Sequence, residues 1–354
     1  MTINQIISIV EKLYKSGNRQ TILLTGSPGI GKSEMVSHLA KNIFGSFAYN
    51  EDPSGKGNVV IHLDLTTVEP SDLIGIPSLE SDSFVYKPGI YFKYLHDHPG
   101  ILFLDEFTNI NRADILSASL SIIQERRVGL MKLHPDCLII LAGNNAEVSS
   151  IANELPTPFM SRVIHFDVDS PRVEEWIRYM DETYKDKWDR RVLTYLLNFK
   201  TLLELPKDEN GSMSMTTNET YPTPRSWTNL ARLNDPELIK MLAPNIIGKK
   251  AGSSLQAFLS TEVPTVDTLI KDINIWKTLN LNQKYLLSSM ISTSDAETVA
   301  NILSKLWYID KEFTTVTYNI MEISKKEKIS NILYEKDKKL LAQLSKIQNH
   351  IKNV

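Results

Sequence analysis

Gly26-Ser27-Pro28-Gly29-Ile30-Gly31-Lys32-Ser33 follows directly on the apolar run Thr21 to Thr25 and fits the phosphate-binding loop pattern G-x-x-x-x-G-K-[ST], with a strand before it and a helix after. The spacing has a chemical reason. The glycines let backbone N–H groups curl around phosphate oxygens, Lys32 reaches the terminal phosphates, and the Ser33 hydroxyl can ligate Mg²⁺. Glu34 opens a segment to Ile43 in which Met35, Val36, Leu39 and Ile43 recur at helical spacing, so a helix N-terminus should point its positive end at the phosphates. Gly26, Ser27, Pro28, Gly29, Ile30, Gly31, Lys32, Ser33 and Glu34 are therefore expected to bind a nucleoside triphosphate.

Beyond the loop, short apolar runs recur at Val59 to Leu65, Ile101 to Leu104, Leu138 to Ala142 and Val163 to Val168. Helical patterns lie between several of them, most clearly Ala113 to Glu125, and Ile3 to Tyr14 forms an amphipathic helix before the first run. This alternation predicts a parallel sheet with helices on both faces. After Asp169-Ser170-Pro171 strand signals stop. Helical patterns such as Val173 to Tyr184 and Arg190 to Leu203 take over, with a polar loop over Pro206 to Pro224.

A chain of 354 residues, 42% of them hydrophobic, can hold two or three cored domains. No run reaches the roughly 18 apolar residues of a membrane span, and the N-terminus lacks a secretory signal pattern. The expectation is a cytoplasmic protein. The single cysteine, Cys137, excludes an intrachain disulfide and reads as a buried structural thiol. A net charge of −3 gives no global attraction to nucleic acid. His96 and His98 are the only close histidine pair, which argues against a protein-ligated transition metal.

The run Ile101-Leu102-Phe103-Leu104-Asp105-Glu106 is a buried strand ending in two carboxylates, placed where charge can reach water or a cation. With the phosphate loop upstream it fits a Walker B element, Asp105 holding Mg²⁺ and Glu106 activating the attacking water. Leu141-Ala142-Gly143-Asn144-Asn145 ends another apolar run, placing an amide where it can meet a γ-phosphate or the lytic water.

Phosphate loop, Asp-Glu strand, Asn-tipped strand and then Leu155-Pro156-Thr157-Pro158-Phe159-Met160-Ser161-Arg162 together resemble an AAA+ ATPase module. Within that superfamily the chain is similar to the MoxR-like group. The residues that carry this are Asp72-Leu73-Ile74-Gly75 with Phe84 to Phe92, similar to the group's insert in its second helix. Asn109-Ile110-Asn111-Arg112, the hairpin-like segment Ile122 to Gly129, and Tyr221-Pro222-Thr223-Pro224-Arg225-Ser226-Trp227 complete the set. The likeness spans about residues 20 to 260.

The resemblance implies a P-loop NTPase core over 1–169, a helical lid over 170–262 and a helical C-terminal extension over 263–354. It implies that Arg162 is the arginine finger reaching a neighbouring subunit's nucleotide, and that Arg225 is the lid arginine sensing the γ-phosphate. Asn144 matches the family's sensor asparagine better than Asn145, although the tip is Asn-Asn where the family usually has Asn-Pro. The expected cofactors are ATP and Mg²⁺, and the expected assembly is a homo-oligomeric, hexameric ring acting on a protein client. A von Willebrand factor A domain protein is the partner the family suggests. A nucleic-acid-acting ATPase, such as a helicase loader or restriction-associated motor, is the alternative.

Residues 324 to 354 hold eight lysines against three acids, read as a solvated lysine face over packed apolar positions. Phe84, Tyr86, Tyr91, Phe92 and Tyr94 read as one face of a hairpin.

Overall fold

The computed structural model describes residues 1–80, 83–144, 157–199, 203 and 220–352. Two compact units divide the chain near Pro171. The first contains α1 (Ile3–Lys15), β1 (Thr21–Thr25), α2 (Lys32–Phe44), β2 (Ala48–Tyr49), β3 (Val59–Asp64), α3 (Pro70–Ile74), β4 (Ile76–Glu80), β5 (Ser83–Lys87) and α4 (Ile90–Asp97). It continues with β6 (Gly100–Asp105), α5 (Ala113–Glu125), β7 (Arg127–Val128), β8 (Met131–Lys132), β9 (Leu138–Gly143), α6 (Thr157–Met160) and β10 (Val163–Asp167).

Six of these strands make one parallel sheet in the order β10-β1-β9-β6-β3-β2. Side chains alternate between its faces, as a strand requires. Ile22, Leu24, Ile101, Phe103 and Ile140 pack with α1 and α2 on one side. Leu23, Ile61, Leu102, Leu104 and Leu141 pack with α4 and α5 on the other. The five apolar runs of the sequence are β1, β3, β6, β9 and β10. The edge strand β2 went unforeseen, because two residues carry no periodicity.

Two antiparallel hairpins stand apart from the sheet, β4–β5 and β7–β8. Phe84 and Tyr86 do share one face of β5, but Tyr91, Phe92 and Tyr94 lie on α4. That part of the hairpin expectation is corrected. Pro88 and Gly89 end the strand, and Gly89 then caps the helix. Cys137 is fully buried, and that burial pushes its thiol up to about 12.

The second unit is helical among its described residues. It opens with α7 (Val173–Tyr184), α8 (Arg190–Asn198) and α9 (Pro224–Ala231). One core gathers Trp176, Trp188, Tyr195 and Trp227, and a second gathers Trp276, Leu287, Leu303 and Leu333. The helix α8 ends at Asn198, short of the expected Leu203. Of the expected loop, 206–219 lies outside the described residues and Pro224 already begins α9. The helices Ile323–Lys336 and Lys338–Lys352 bury Ile329, Leu333, Leu340 and Leu344 while Lys328, Lys336, Lys338 and Lys339 face outward.

Candidate nucleotide-binding site

Strand order decides where the polar residues meet. β9 lies between β1 and β6, so the segments leaving the C-terminal ends of all three are neighbours. Ligands of open α/β sheets bind at that edge. Pairing of Thr25 with Gly143, and of Leu104 with Leu141, brings the phosphate loop, the Asn-tipped strand and the carboxylate pair into one place.

The loop after β1 enters α2 through Gly31 at φ 104, left-handed backbone that a side chain would strain. A Cβ at Gly26 would lie 2.7 Å from the Val168 carbonyl oxygen, so glycine is also required there by close approach. Lys32 is buried. Its Nζ donates to the carbonyls of Gly26 at 2.9 Å and Ser27 at 3.0 Å and to Asn144 Oδ1 at 3.1 Å. Ile30 is buried, Ser27, Pro28 and Gly29 are half-buried, and Glu34 is exposed on the first turn of α2.

Asp105 is held by three donors. Ser33 Oγ donates to Oδ2 at 2.9 Å, His62 Nε2 meets the same oxygen at 3.2 Å, and the Glu106 amide donates to Oδ1 at 2.9 Å. Burial works to raise this carboxyl, but the bonds from His62, Ser33 and Glu106 outweigh it and hold it below the usual aspartate range. Glu106 goes the other way, raised first by burial and then by the charge of Asp105, with Lys32 opposing. Its backbone is left-handed, φ 55, and such a conformation persists only where its surroundings enforce it. Asn109 donates its amide to Glu106 Oε2, and Asn144 Nδ2 stands 3.4 Å from the same oxygen.

Asn144 is fixed through its main chain. Its N–H donates to Thr108 Oγ1 at 2.8 Å, and that hydroxyl donates back to the Asn144 carbonyl at 3.1 Å. Gly143 makes this possible, since a Cβ there would sit 2.5 Å from Thr108 Oγ1. Asn145, the alternative sensor, lies outside the described residues, as do 145–156 of the stretch before α6.

Arg162 is not with the others. It is exposed in the turn after α6, its N–H bonded to the Phe159 carbonyl, directly before β10. Thr21 pairs with Val163, so Arg162 stands at the N-terminal edge of the sheet, the edge opposite Lys32 and Asp105. Arg225 belongs to the second unit, where it is exposed on the first turn of α9 behind the cap that Thr223 and Ser226 form.

The donor set is hard oxygen, one hydroxyl and one ionised carboxylate 2.9 Å apart beside a buried ammonium. Magnesium is held in this way when phosphate oxygens and water complete its shell. Among the described residues no group of three or more His, Cys, Asp or Glu is arranged to hold a metal alone.

Residues 21–163 match the family model of the AAA domain, dynein-related subfamily. This part of the chain is an AAA+ ATPase domain. The chain is also similar to Midasin of Giardia intestinalis, 27% identical over 188 residues. That match covers 51% of this chain and 4% of Midasin, so the chain spans a small part of that relative. A point mutant of Thermotoga maritima RuvB superimposes with a TM-score of 0.39 at 14% identity, over 89% of this chain and 86% of that one. C. elegans PCH-2 does so with a TM-score of 0.34 at 13% identity, over 86% and 69%. No helix among the described residues is long and apolar enough to cross a membrane.

Three groups at the site went unassigned from sequence: His62, Asn109 and Thr108. Asn109 was visible as part of a motif without a role, and it reaches Glu106 because Phe107–Asn109 forms a 3₁₀ turn. His62 and Thr108 carry no local signal, since the partner of each lies on a distant segment.

Proposed function

We propose that the chain is a MoxR-like subunit that hydrolyses Mg-ATP at the interfaces of a homo-oligomeric, hexameric ring and uses the cycle to remodel or help assemble a protein client. In this reading 1–169 is the nucleotide-binding domain, 170–262 the lid and 263–354 an extension, in the cytoplasm.

One observation carries the ring. Lys32, Asp105, Glu106 and Asn144 occupy one edge of the sheet and Arg162 the other, separated by the length of a five-residue strand, about 15 Å. An arginine so placed is far from its own chain's phosphates and exposed to a neighbour.

The chain's own residues divide the work. Loop amides from Gly26 to Ser33 and the Lys32 ammonium take the phosphates, and Ser33 and Asp105 hold Mg²⁺. When bound, Mg²⁺ offsets the negative charge of the phosphate chain. Glu106 accepts the proton of the attacking water, a role its raised carboxyl favours. Asn144 orients the water or the γ-phosphate. Arg162 of one subunit stabilises charge developing in the next subunit's site, and Arg225 couples the γ-phosphate to the lid.

Apolar exposure supports a protein client. Pro77, Leu79, Phe84 and Tyr86 share one face of the β4–β5 hairpin, where Phe84 is 78% exposed. Leu130, 82% exposed, tips the β7–β8 turn. Such patches mark protein contacts. By resemblance, a von Willebrand factor A domain protein is the partner.

Complementation tests the shared site. Arg162→Ala and Glu106→Gln should each lose about 10³-fold or more in turnover alone, and mixing them should restore part of it, because mixed neighbours rebuild whole sites. Arg162→Ala turning over at the wild-type rate would end the proposal. Affinity capture with ATP-loaded Glu106→Gln should then retain a protein; retention of DNA alone would favour the nucleic-acid reading.

A further inference from the structure

Tyr49 and His62 form a chain of side chains behind Asp105, and the ATPase chemistry above uses neither of them. Tyr49 Oη lies 2.8 Å from His62 Nδ1, and His62 Nε2 lies 3.2 Å from Asp105 Oδ2. The histidine belongs to β3 and faces Asp105 because β3 pairs with β6 in parallel, His62 opposite Phe103 and Asp64 opposite Asp105. Its ring packs on Phe103 with centroids 4.7 Å apart, which limits rotation. Tyr49, on the edge strand β2, closes against the ring edge-on.

The hydrogen bonds define the direction of the chain. Asp105 as an ionised carboxylate can only accept, so Nε2–H of His62 donates to it, and Nδ1 of the neutral ring then accepts from the Tyr49 hydroxyl. Oδ2 of Asp105 then accepts from both His62 and Ser33 while Oδ1 accepts the Glu106 amide. The carboxylate is thereby fixed in rotation and kept ionised. The Ser33 hydroxyl can keep its bond to Asp105 while a lone pair of its oxygen turns to a metal ion. His62 is the second side chain that orients Asp105, and the one that does not itself bind the ion.

We propose that His62, with its tautomer set by Tyr49, is a positioning residue that fixes Asp105 for Mg²⁺ in the nucleotide complex. Partners that orient a metal-ligating group from behind typically contribute 10- to 100-fold in metal affinity. The inference rests on the Mg-nucleotide reading of this site, and its test separates the two.

The experiment titrates the full chain with a fluorescent ADP analogue, first in EDTA and then at fixed nucleotide with rising Mg²⁺. His62→Leu should leave affinity in EDTA unchanged and raise the Mg²⁺ concentration for half-maximal effect about 10-fold. His62→Gln, whose side-chain amide can donate near the position of Nε2, should restore most of the wild-type Mg²⁺ response. Tyr49→Phe should shift the response in the same direction as His62→Leu by less, and because Tyr49 is 40% exposed on an edge strand it also serves if His62→Leu fails to fold. Wild-type Mg²⁺ dependence in His62→Leu or Tyr49→Phe, or an equal loss of affinity with and without Mg²⁺, overturns the inference. A wild-type chain that binds no nucleotide would sink the ATPase reading along with it.

Discussion

Lys32 Nζ donates to Asn144 Oδ1 at 3.1 Å, joining the phosphate loop to the tip of β9. Asn144 also reaches toward Glu106, with Nδ2 3.4 Å from Oε2. One amide therefore touches both Lys32 and Glu106, the cation and the base of the proposed site. In the proposed mechanism, arrival of a γ-phosphate should draw Lys32 away and leave Asn144 to the water that Glu106 would activate. Asn144→Ala is expected to keep ATP affinity while lowering kcat about 10²-fold, the scale of removing one preorganised donor. Equilibrium binding beside steady-state phosphate release separates the two. A variant losing affinity and kcat together would assign Asn144 to the loop instead.

Glu106 should govern the acid limb of the rate profile. Burial, followed by the negative charge of Asp105, raises its carboxyl, so turnover should fall at a higher pH than an exposed glutamate would give. Against the effect of burial, Asp105 is shifted the opposite way, below the usual aspartate range, by its bonds from His62, Ser33 and Glu106. The bond from Asn109 favours the charged form of Glu106. Asn109→Ala should therefore move the limb to still higher pH. A kcat profile from pH 4 to 8 reads this shift, and movement to lower pH would contradict the assignment.

Gly143→Ala tests the seat of Asn144. Its new methyl meets Thr108 at 2.5 Å, so β9 or the 3₁₀ turn must shift. The expected result is a loss of about 1–3 kcal/mol in stability together with reduced turnover. Thr108→Ser keeps the hydroxyl and removes a methyl that lies in the path of the new Cβ. Combined with Gly143→Ala it should recover part of both losses, as denaturation and rate measurements would show.

In the second unit, Asp181 and Arg190 form an ion pair at 2.6 Å with both side chains less than a tenth exposed. Arg190 also lies over the Trp188 ring, 3.9 Å from its centroid. Asp181→Ala leaves a buried guanidinium without its counter-charge and is expected to lose about 3–5 kcal/mol. Replacing both with apolar residues, Asp181→Leu with Arg190→Met, should lose far less. Urea unfolding of the two variants decides it, and equal losses would mean that packing rather than charge dominates.

Much of the site was legible because its signals are local. Gly26 to Ser33 is a contiguous pattern whose chemistry fixes its spacing, and Asp105 and Glu106 end an apolar run of the length a buried strand takes. The pieces that escaped were those whose partners lie far away in sequence. His62 is 43 residues from Asp105, and Thr108 is 36 residues from Asn144. Each looks ordinary within its own segment. Tyr91, Phe92 and Tyr94 misled for the opposite reason, since a short alternating stretch fits a strand until Gly89 starts a helix.

Hydrophobic periodicity and motif spacing are carried by neighbouring residues, and so the parallel α/β core, the phosphate loop and the carboxylate pair could be read from the chain alone. Packing put β9 between β1 and β6, which brings Lys32, Asn144 and Glu106 together. Packing also turned Arg162 away from them across the sheet and set His62 behind Asp105. Those relationships depend on strand order and register, which arise among distant segments and leave no trace in any one of them.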